Sequence, residues 1–377
     1  MKHRIIAINL PQFHPFKEND EWWGKGFTEW TNVTKAKPRF KGHYQPHLPT
    51  ETGFYDLRLP EARQMQADMA KKAGIYGFCY YHYWFNGHQL MERPVDDILK
   101  SGEPDFPFML CWANENWARN WDGGFKNVLI EQNYSVEDDI AHMRWLCKNV
   151  FCDKRYIRVD GKPVFIVYRT ALFPDLKSTV KIWRQVAKED FGIELYLMHA
   201  DFHDRKTYGE DPQKYDMDAS FDFQPLPVYL TIQEIEHKKK ERLRYLSWRI
   251  PYLRSRKWFR RWVDEMPEIY SYNEYVEKLC SLPFPDIKRY PCVSPGFDNS
   301  ARRVRKKFLC FPDSSPKIYG KWLSNVLQRF IPFSKEENFV FINAWNEWAE
   351  GNHLEPDTKW KSAYLDETKK VIFENNL

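Results

Sequence analysis

Eight short apolar runs recur along the chain, and segments with a helical pattern separate most of them. The strand-like runs cover residues 5–10, 75–85, 106–112, 163–168, 195–200, 217–223, 290–294 and 339–344. The helical patterns cover 60–73, 92–100, 135–150, 176–189, 319–330 and 360–373. Eight strands alternating with helices in one chain of 377 residues predict an α/β fold. We expect a (β/α)8 TIM barrel that forms a single domain over residues 1–377.

A doubly wound open sheet is the structural alternative to the barrel. In that class, a glycine-rich loop commonly follows a strand and cradles a nucleotide phosphate. No strand-like run here is followed by a GxGxxG or GxxxxGK[ST] element. The absence of these motifs favours the barrel and counts against a nucleotide-binding enzyme of the Rossmann type.

An insertion from about 229 to 272 breaks the alternation after the sixth strand. Between 238 and 262 it mixes many Lys and Arg residues with Leu, Tyr and Trp. A basic, aromatic segment of this kind is typical of peripheral contact with a membrane or a lipid-linked glycan. A solvated helical hairpin without a partner is an equal alternative. The chain's net charge is only +5, so no nucleic acid partner is expected.

Cysteine usage and the first residues bear on the cellular compartment. The seven cysteines include no CxxC pair, which argues against a disulfide framework or a zinc site. The first apolar run is too short for a signal peptide, and no stretch approaches about 18 consecutive apolar residues. The sequence therefore predicts a cytoplasmic protein that can lie peripherally at the inner membrane.

The last strand ends in a polar and aromatic cluster that contains two carboxylates, Glu347 and Glu350. Catalytic groups of parallel barrels sit at such strand ends. If the chain turns helically after Trp345, the two Cβ atoms lie roughly 5–6 Å apart, whereas an extended chain splits the pair. Gly351 favours the turn. Two close carboxylates cannot both ionise freely, which yields an acid and a base suited to glycoside chemistry. The alternative is the first turn of a surface helix, with Glu answering the helix dipole.

Other strand ends carry similar residues. The segments 112–117 (WANENW) and 295–299 (PGFDN) also place an acid beside aromatic rings, and 17% of the chain is aromatic. Such rings suit the flat apolar faces of sugars. His14, His82 and His199 lie at or near the ends of strands one, two and five. They show no local ligand spacing, so no metal and no cofactor are expected.

Five segments together carry a resemblance to a known family. They are 9–15 (NLPQFHP), 18–33, 77–85 (GFCYYHYWF), 111–117 (CWANENW) and 343–351 (NAWNEWAEG). These segments resemble the WbsX-type proteins of bacterial surface-polysaccharide clusters, which are similar to glycoside hydrolase family 99. The likeness runs from the first strand to Glu355.

The resemblance implies a mechanism and assigns roles to the carboxylate pair. Family 99 enzymes are (β/α)8 endo-α-mannosidases and endo-α-mannanases that retain configuration without a metal. In their proposed route, the 2-hydroxyl of the substrate attacks the anomeric carbon and gives a 1,2-anhydro sugar. By this likeness, Glu347 draws the proton from the 2-hydroxyl. Glu350 protonates the leaving oxygen and later activates water. Phe297 departs from the family pattern, which usually has Trp or Tyr before the Asp, so the accepted sugar can differ.

The sequence thus predicts an enzyme that acts on a glycosidic bond of a bacterial surface polysaccharide or its lipid-linked precursor. We expect a retaining, endo-acting glycoside hydrolase with Glu347 and Glu350 as catalytic residues. The oligosaccharide or polysaccharide substrate is expected to contact His14, Tyr81, His82, Trp84, Trp112, Asn114, Glu115, Asp298, Trp345, Asn346 and Trp348. One alternative is a glycosyltransferase or transglycosylase of O-antigen or capsule biosynthesis, because WbsX-type proteins have been labelled so from their gene positions. The other is a non-catalytic carbohydrate-binding barrel.

Overall fold

The computed structural model describes residues 2–119, 124–201, 209–225, 245, 249–250, 256–303 and 307–375. Within these residues, eight parallel strands form the predicted barrel. They are β1 Arg4–Asn9, β2 Gly77–Phe85, β3 Phe108–Trp112, β4 Lys162–Val167, β5 Tyr196–Asp201, β6 Ala219–Asp222, β7 in two pieces, Arg289–Tyr290 and Cys292–Val293, and β8 Phe339–Ile342. Each strand pairs in parallel with the next along the chain, and β8 pairs with β1.

The ring of strands closes through the two pieces of β7. Pro291 separates them, because proline has no N–H group to donate to a neighbouring strand. The first piece pairs with β6 and the second pairs with β8. The carbonyl of Pro291 still accepts a hydrogen bond from the Phe341 backbone N–H at 2.9 Å. The barrel is therefore continuous across the interruption.

The strands read as unbroken apolar runs because both of their faces are covered. Ile6 of β1 and Phe341 of β8 are fully buried. The Phe341 ring stacks on Phe221 of β6, with ring centroids 4.3 Å apart. Continuous apolar character is typical of parallel strands that pack against helices on one side and against the barrel interior on the other.

Ten helices surround or connect the described strands. Pro60 and Pro316 open their helices at the first position, where a missing N–H costs nothing. The Ser135 side chain caps the helix that follows it by accepting from the Asp138 N–H. The helices are α1 Lys17–Trp23, α2 Glu29–Lys35, α3 Pro60–Lys72, α4 Arg93–Ser101, α5 Val136–Asn149, α6 Leu176–Phe191, α7 Lys257–Asp264, α8 Tyr272–Ser281, α9 Pro316–Arg329 and α10 Ala363–Asn375.

Short strands and single turns complete the described chain. The antiparallel strand pairs are His88–Leu90 with β2, Arg158–Val159 with β4, Trp117–Arg119 with Gly124–Ile130, and Asn346–Glu347 with Asn352–His353, and the parallel pair is Glu268–Ile269 with Leu309–Cys310. The 3-10 turns are Thr170–Leu172, Pro212–Tyr215, Asn299–Arg302 and Trp348–Glu350.

Two regions differ from a plain reading of the sequence. The sequence predicted only a long loop between β1 and α3, and this segment contains α1 and α2. Most of the basic insertion at 229–272, including Lys238–Lys240 and Arg254, lies outside the described residues. Its described part contains α7, on which Trp258 is exposed. None of the helices that the structure describes combines the length and the apolar character needed to cross a bilayer.

Candidate active site

The segment after β8 folds back on itself and carries the two predicted catalytic carboxylates. Asn346–Glu347 pairs with Asn352–His353, and between them Trp348–Glu350 makes one 3-10 turn. Gly351 ends the turn with a φ of +55°, a left-handed conformation that glycine adopts at low cost. The chain is therefore extended through Glu347 and turns only from Trp348, which combines the two alternatives of the sequence analysis.

One largely shielded arginine joins both carboxylates. Arg302 lies in the 3-10 turn that follows β7, and its side chain is 13% exposed. Its Nη2 donates to Glu347 Oε2 at 2.6 Å, and its Nη1 donates to Glu350 Oε1 at 2.7 Å. A third carboxylate, Glu29 at the start of α2, accepts from Arg302 Nε at 3.0 Å and also from Nη2. The guanidinium fork thus holds three acids from separate parts of the chain.

The three carboxylates outnumber the one arginine, so ionising all of them leaves an excess of negative charge in a largely buried site. Burial raises the pKa of Glu347 to about 8, with Arg302 opposing and the Glu350 and Glu29 carboxylates adding to the rise. Burial also raises the pKa of the fully buried Glu29, against the effect of Arg302. A proton on Glu347 relieves the crowding, so the resting protein holds that proton at neutral pH.

Two tyrosines of β2 face this carboxylate cluster. Burial raises the pKa of Tyr81 and of Tyr83 well above the usual value, and the Glu347 carboxylate adds to both shifts. The Tyr81 ring contacts Tyr168, and the Tyr83 ring contacts Trp117, with centroids 6.0 and 5.4 Å apart. Tyr83 was missed by the sequence analysis. The two-residue period of a strand places it on the same face as the predicted Tyr81.

The two-residue alternation of side chains along a strand directs three other predicted site residues away from the barrel interior. His82, Trp84 and Trp112 pack in an aromatic layer against α5 and α6. His82 Nε2 lies 3.0 Å from His142 Nε2, and Trp84 stacks on the His142 ring at 4.6 Å. Trp112 is 1% exposed and contacts Trp183 of α6. The structure therefore does not bring these three side chains to the carboxylates.

Asn114 and Glu115 lie at the end of β3, beside the end of β4. Asn114 is fully buried, and its side chain donates to the Arg169 carbonyl and accepts from the Arg169 N–H, both at 2.8 Å. Glu115 pairs with the Arg169 guanidinium at 2.5 Å and keeps 44% of its side chain exposed. Burial is the main cause of the raised pKa of Tyr168, and the charges of Glu115 and Glu350 both add to it. Glu115 and Glu350 therefore lie at the same end of the barrel.

The predicted tryptophans of the last segment are buried supports. Trp345 and Trp348 each donate an indole N–H to the buried carboxylate of Glu355, at 2.9 and 2.7 Å. Tyr55 and Gln66 complete the shell of donors around that carboxylate, at 2.7 and 2.8 Å. The structure thus places both tryptophans behind the turn that carries Glu347 and Glu350.

The remaining predicted residues also make defined contacts within the protein. Asn346 is fully buried and binds the Leu10 backbone through both atoms of its amide, at 2.7 and 3.0 Å. His14 is buried next to the Pro11 carbonyl at 3.2 Å, and burial lowers its pKa to about 4. Asp298 is buried and accepts from His43 at 2.6 Å and from Gln45 at 2.8 Å.

Two groups of side chains among the described residues have the composition of metal ligands. Both lie beside the 3-10 turn Trp348–Glu350. The first is His43, Asp298 and Cys310, and the second is His47, His353 and Asp357. Neither group includes Glu347 or Glu350. The cation that the structure places on the carboxylate cluster is Arg302, which pairs with all three acids.

Glu29 and Arg302 are the two residues of this cluster that the sequence analysis did not predict. Glu29 lies within the segment 18–33 that carries the family resemblance, and Arg302 lies three positions after the PGFDN motif. Both positions are therefore close to segments that the sequence marked. Their pairing across 273 residues has no local signal.

The chain matches proteins of one family across almost its whole length. The family model described as "Glycosyltransferase WbsX" matches residues 5–368. Two curated proteins of Xanthomonas campestris pv. campestris, from strains B100 and ATCC 33913 and both described as "Uncharacterized protein WxcX", are 37% identical over 372 residues. The match covers 98% of this chain and 49% of each relative, so the chain spans about half their length.

Solved structures share the fold at low sequence identity. The GH99 endo-alpha-mannosidase from Bacteroides thetaiotaomicron is 13% identical with a TM-score of 0.56, covering 99% of this chain and 97% of that one. A chain described as a "Glycoside hydrolase-like protein" is 14% identical with a TM-score of 0.55, covering 98% and 94%. The predicted barrel and the predicted family are both confirmed. The chain belongs to the family described as Glycosyltransferase WbsX.

Proposed function

We propose that this protein is a retaining, endo-acting glycoside hydrolase that cleaves a bacterial surface polysaccharide or its lipid-linked precursor. The observation that carries the proposal is the pairing of Glu347 and Glu350 on the two terminal nitrogens of Arg302 at the carboxyl ends of the strands. The fold shared with a GH99 endo-alpha-mannosidase supports the reaction class.

The proposed reaction has two steps, and each carboxylate moves one proton at a time. In the first, Glu347 takes the proton of the substrate 2-hydroxyl, whose oxygen bonds to the anomeric carbon. Glu350 gives its proton to the leaving oxygen as the bond from that oxygen to the anomeric carbon breaks. In the second, Glu350 takes a proton from water, whose oxygen opens the 1,2-anhydro ring, and Glu347 returns its proton to the 2-oxygen.

The buried position of Glu347 sets a condition on this scheme. With a pKa of about 8, only part of the resting protein has Glu347 ionised at neutral pH. That fraction is the competent one, and the high pKa makes its carboxylate a stronger base than an ordinary Glu. Tyr81 and Tyr83, beside Glu347, are proposed to contact the sugar whose hydroxyl is activated.

The direct test compares wild type with Glu347→Gln and Glu350→Gln on free and lipid-linked surface oligosaccharides. Mass spectrometry is expected to find shorter glycans with wild type and none with either variant. Glu51→Gln, an exposed change away from the cluster, is the matched control and is expected to keep full activity. Cleavage that survives both site substitutions would show that the reaction centre lies elsewhere.

A glycosyltransferase or transglycosylase is the second candidate, and the description of the matching family favours it. The same pair would pass the sugar to an acceptor hydroxyl instead of water. With an added acceptor glycan, longer products that both Gln substitutions abolish would assign transfer. Release of a free reducing end would assign hydrolysis.

We further propose that the basic part of the insertion, residues 238–262, keeps the enzyme at a membrane or a lipid-linked glycan. On α7, the exposed Trp258 lies beside the basic residues Arg256, Lys257 and Arg261.

Substituting Arg256, Lys257 and Arg261 by Ala is expected to weaken binding to anionic liposomes in a sedimentation assay. A control that replaces Lys177, Lys181 and Lys188 of α6 removes the same charge and is expected to leave liposome binding unchanged. Equal binding by both triple variants and wild type would refute the proposal.

A further inference from the structure

A cluster of metal-ligating side chains lies behind the turn that carries Glu350. His47 comes from the segment between α2 and α3, and His353 and Asp357 come from the segment after β8. All three line a small pocket, open at its mouth, whose wall also includes Asp298 and Lys359. This pocket is separate from the Glu347, Glu350 and Glu29 carboxylates.

Each of the three side chains offers one ligand atom, and the three atoms lie close together. His47 Nδ1 lies 3.1 Å from His353 Nε2, and His353 Nε2 lies 3.7 Å from Asp357 Oδ2. All three atoms are within 4.8 Å of one another. Ligands bound tetrahedrally at 2.0–2.1 Å are roughly 3.3 Å apart, so small side-chain shifts bring these atoms into ligating positions.

The hydrogen bonds around the cluster fix which atoms are free to ligate. His353 Nδ1 lies 2.9 Å from the Glu355 carbonyl. A carbonyl only accepts, so His353 Nδ1 carries the hydrogen and His353 Nε2 accepts from His47 Nδ1. Metal binding therefore moves the His47 hydrogen from Nδ1 to Nε2. Asp357 Oδ1 accepts from the backbone N–H groups of Lys359 and Trp360, at 2.9 and 2.5 Å, which orients Oδ2 toward His353. Carbonyl support of a ligating histidine is a usual second contact in metal sites.

In the neighbouring His43, Asp298 and Cys310 group, a backbone donor fixes the tautomer of the histidine. His43 Nδ1 accepts from the Arg39 backbone N–H at 3.0 Å. Its Nε2 therefore carries the hydrogen and donates it to Asp298 at 2.6 Å. No lone pair of His43 faces the group, so these residues form a hydrogen-bonded unit.

We propose that His47, His353 and Asp357 bind one divalent transition metal ion, with zinc preferred. Two imidazoles and one carboxylate are a ligand set that zinc accepts, and the fourth position opens to the pocket for water. The ion ties the α2–α3 segment to the segment after β8. His353 also stacks on Trp348 at 3.8 Å, inside the turn between Glu347 and Glu350. The metal thereby positions the carboxylate turn and takes no part in the glycosidic reaction.

The test uses the full chain, prepared without a histidine tag and stripped with a chelator. Isothermal titration with zinc chloride is expected to give one site per chain with sub-micromolar affinity, and magnesium is expected to give no signal. His47→Ala is expected to weaken zinc binding at least about 100-fold, since even outer contacts of metal ligands are worth 10- to 100-fold. His88→Ala, an exposed histidine paired with Glu18, is the matched control and keeps wild-type affinity.

X-ray absorption of the zinc complex provides a second readout that does not depend on how well a variant folds. It is expected to show a first shell of nitrogen and oxygen neighbours at 2.0–2.1 Å, including two imidazoles. Equal zinc affinity in wild type and His47→Ala, or a spectrum of hydrated zinc, would mean an adventitious ion only. Because the assay measures metal and not glycan, its outcome is independent of the proposed hydrolase activity.

Discussion

Arg302 forms ion pairs with three carboxylates, so its removal should be among the most destabilising single changes in the protein. Arg302→Gln keeps much of the side-chain volume but leaves Glu29, Glu347 and Glu350 without their cation. Removing one partner of a buried ion pair costs about 3–5 kcal/mol of unfolding free energy. Arg169→Gln is the matched control, because the Arg169 and Glu115 side chains are 22% and 44% exposed. A pair that remains this open to solvent is worth only about 0–1 kcal/mol.

The loss should depend on pH, and the sign follows from the raised pKa values. A carboxyl whose folded pKa lies above its unfolded value stabilises fully below the unfolded pKa, and this contribution is lost as pH rises through the folded pKa. For Glu347 that loss occurs up to about pH 8. Arg302 lowers the pKa of Glu347, so without Arg302 this acid keeps its proton to a higher pH, and the missing attraction lowers stability mainly above about pH 8.

Urea unfolding followed by tryptophan fluorescence at pH 9 and pH 6 measures these differences. We expect a deficit of about 3–5 kcal/mol for Arg302→Gln at pH 9, where Glu347 is ionised in wild type, and a clearly smaller deficit at pH 6. A deficit equal to that of Arg169→Gln, or one that is the same at both pH values, would refute the charge argument.

Three further predictions concern catalysis and the support of the turn. If Glu347 is the base, kcat/KM for glycan cleavage should rise with pH up to about 8, and a fall through that range would make it the acid instead. Tyr83→Phe removes a hydroxyl whose pKa the Glu347 charge raises, but it keeps the ring against Trp117, so kcat/KM should drop about tenfold while urea stability changes by less than about 1 kcal/mol. Unchanged kinetics would contradict this. Glu355→Ala leaves four buried donors unpaired and should cost at least about 3 kcal/mol in urea unfolding, against almost nothing for the exposed Glu51→Ala; equal losses would refute it.

The barrel could be predicted from the sequence because each strand is an apolar run ended by polar residues. The turn at Glu347 and Glu350 could be predicted as well, since Gly351 marks its end. The face of the strand on which each side chain lies could also have been predicted, because side chains alternate between the two faces. In β2, the alternation that puts Tyr81 and Tyr83 inside sends His82 outside.

Other features depend on contacts that no local pattern encodes. A tryptophan beside an acid suits a sugar site, but it suits a buried carboxylate equally well, and Glu355 is the acid that Trp345 and Trp348 bind. The absence of local ligand spacing argued against zinc, yet His47 and His353 meet across 306 positions. Tertiary structure alone brings such groups together.

The pairing of β1 with β8 has a consequence for synthesis on the ribosome. The first strand cannot close the barrel until residues 339–342 have emerged. At about 5–20 residues per second, the edge of β1 waits roughly 15–70 s for its partner. An unpaired edge with the apolar sequence of β1 can join strands of other chains during that time. The nascent chain is therefore expected to depend on chaperones. Slower translation is expected to lower the yield of folded protein.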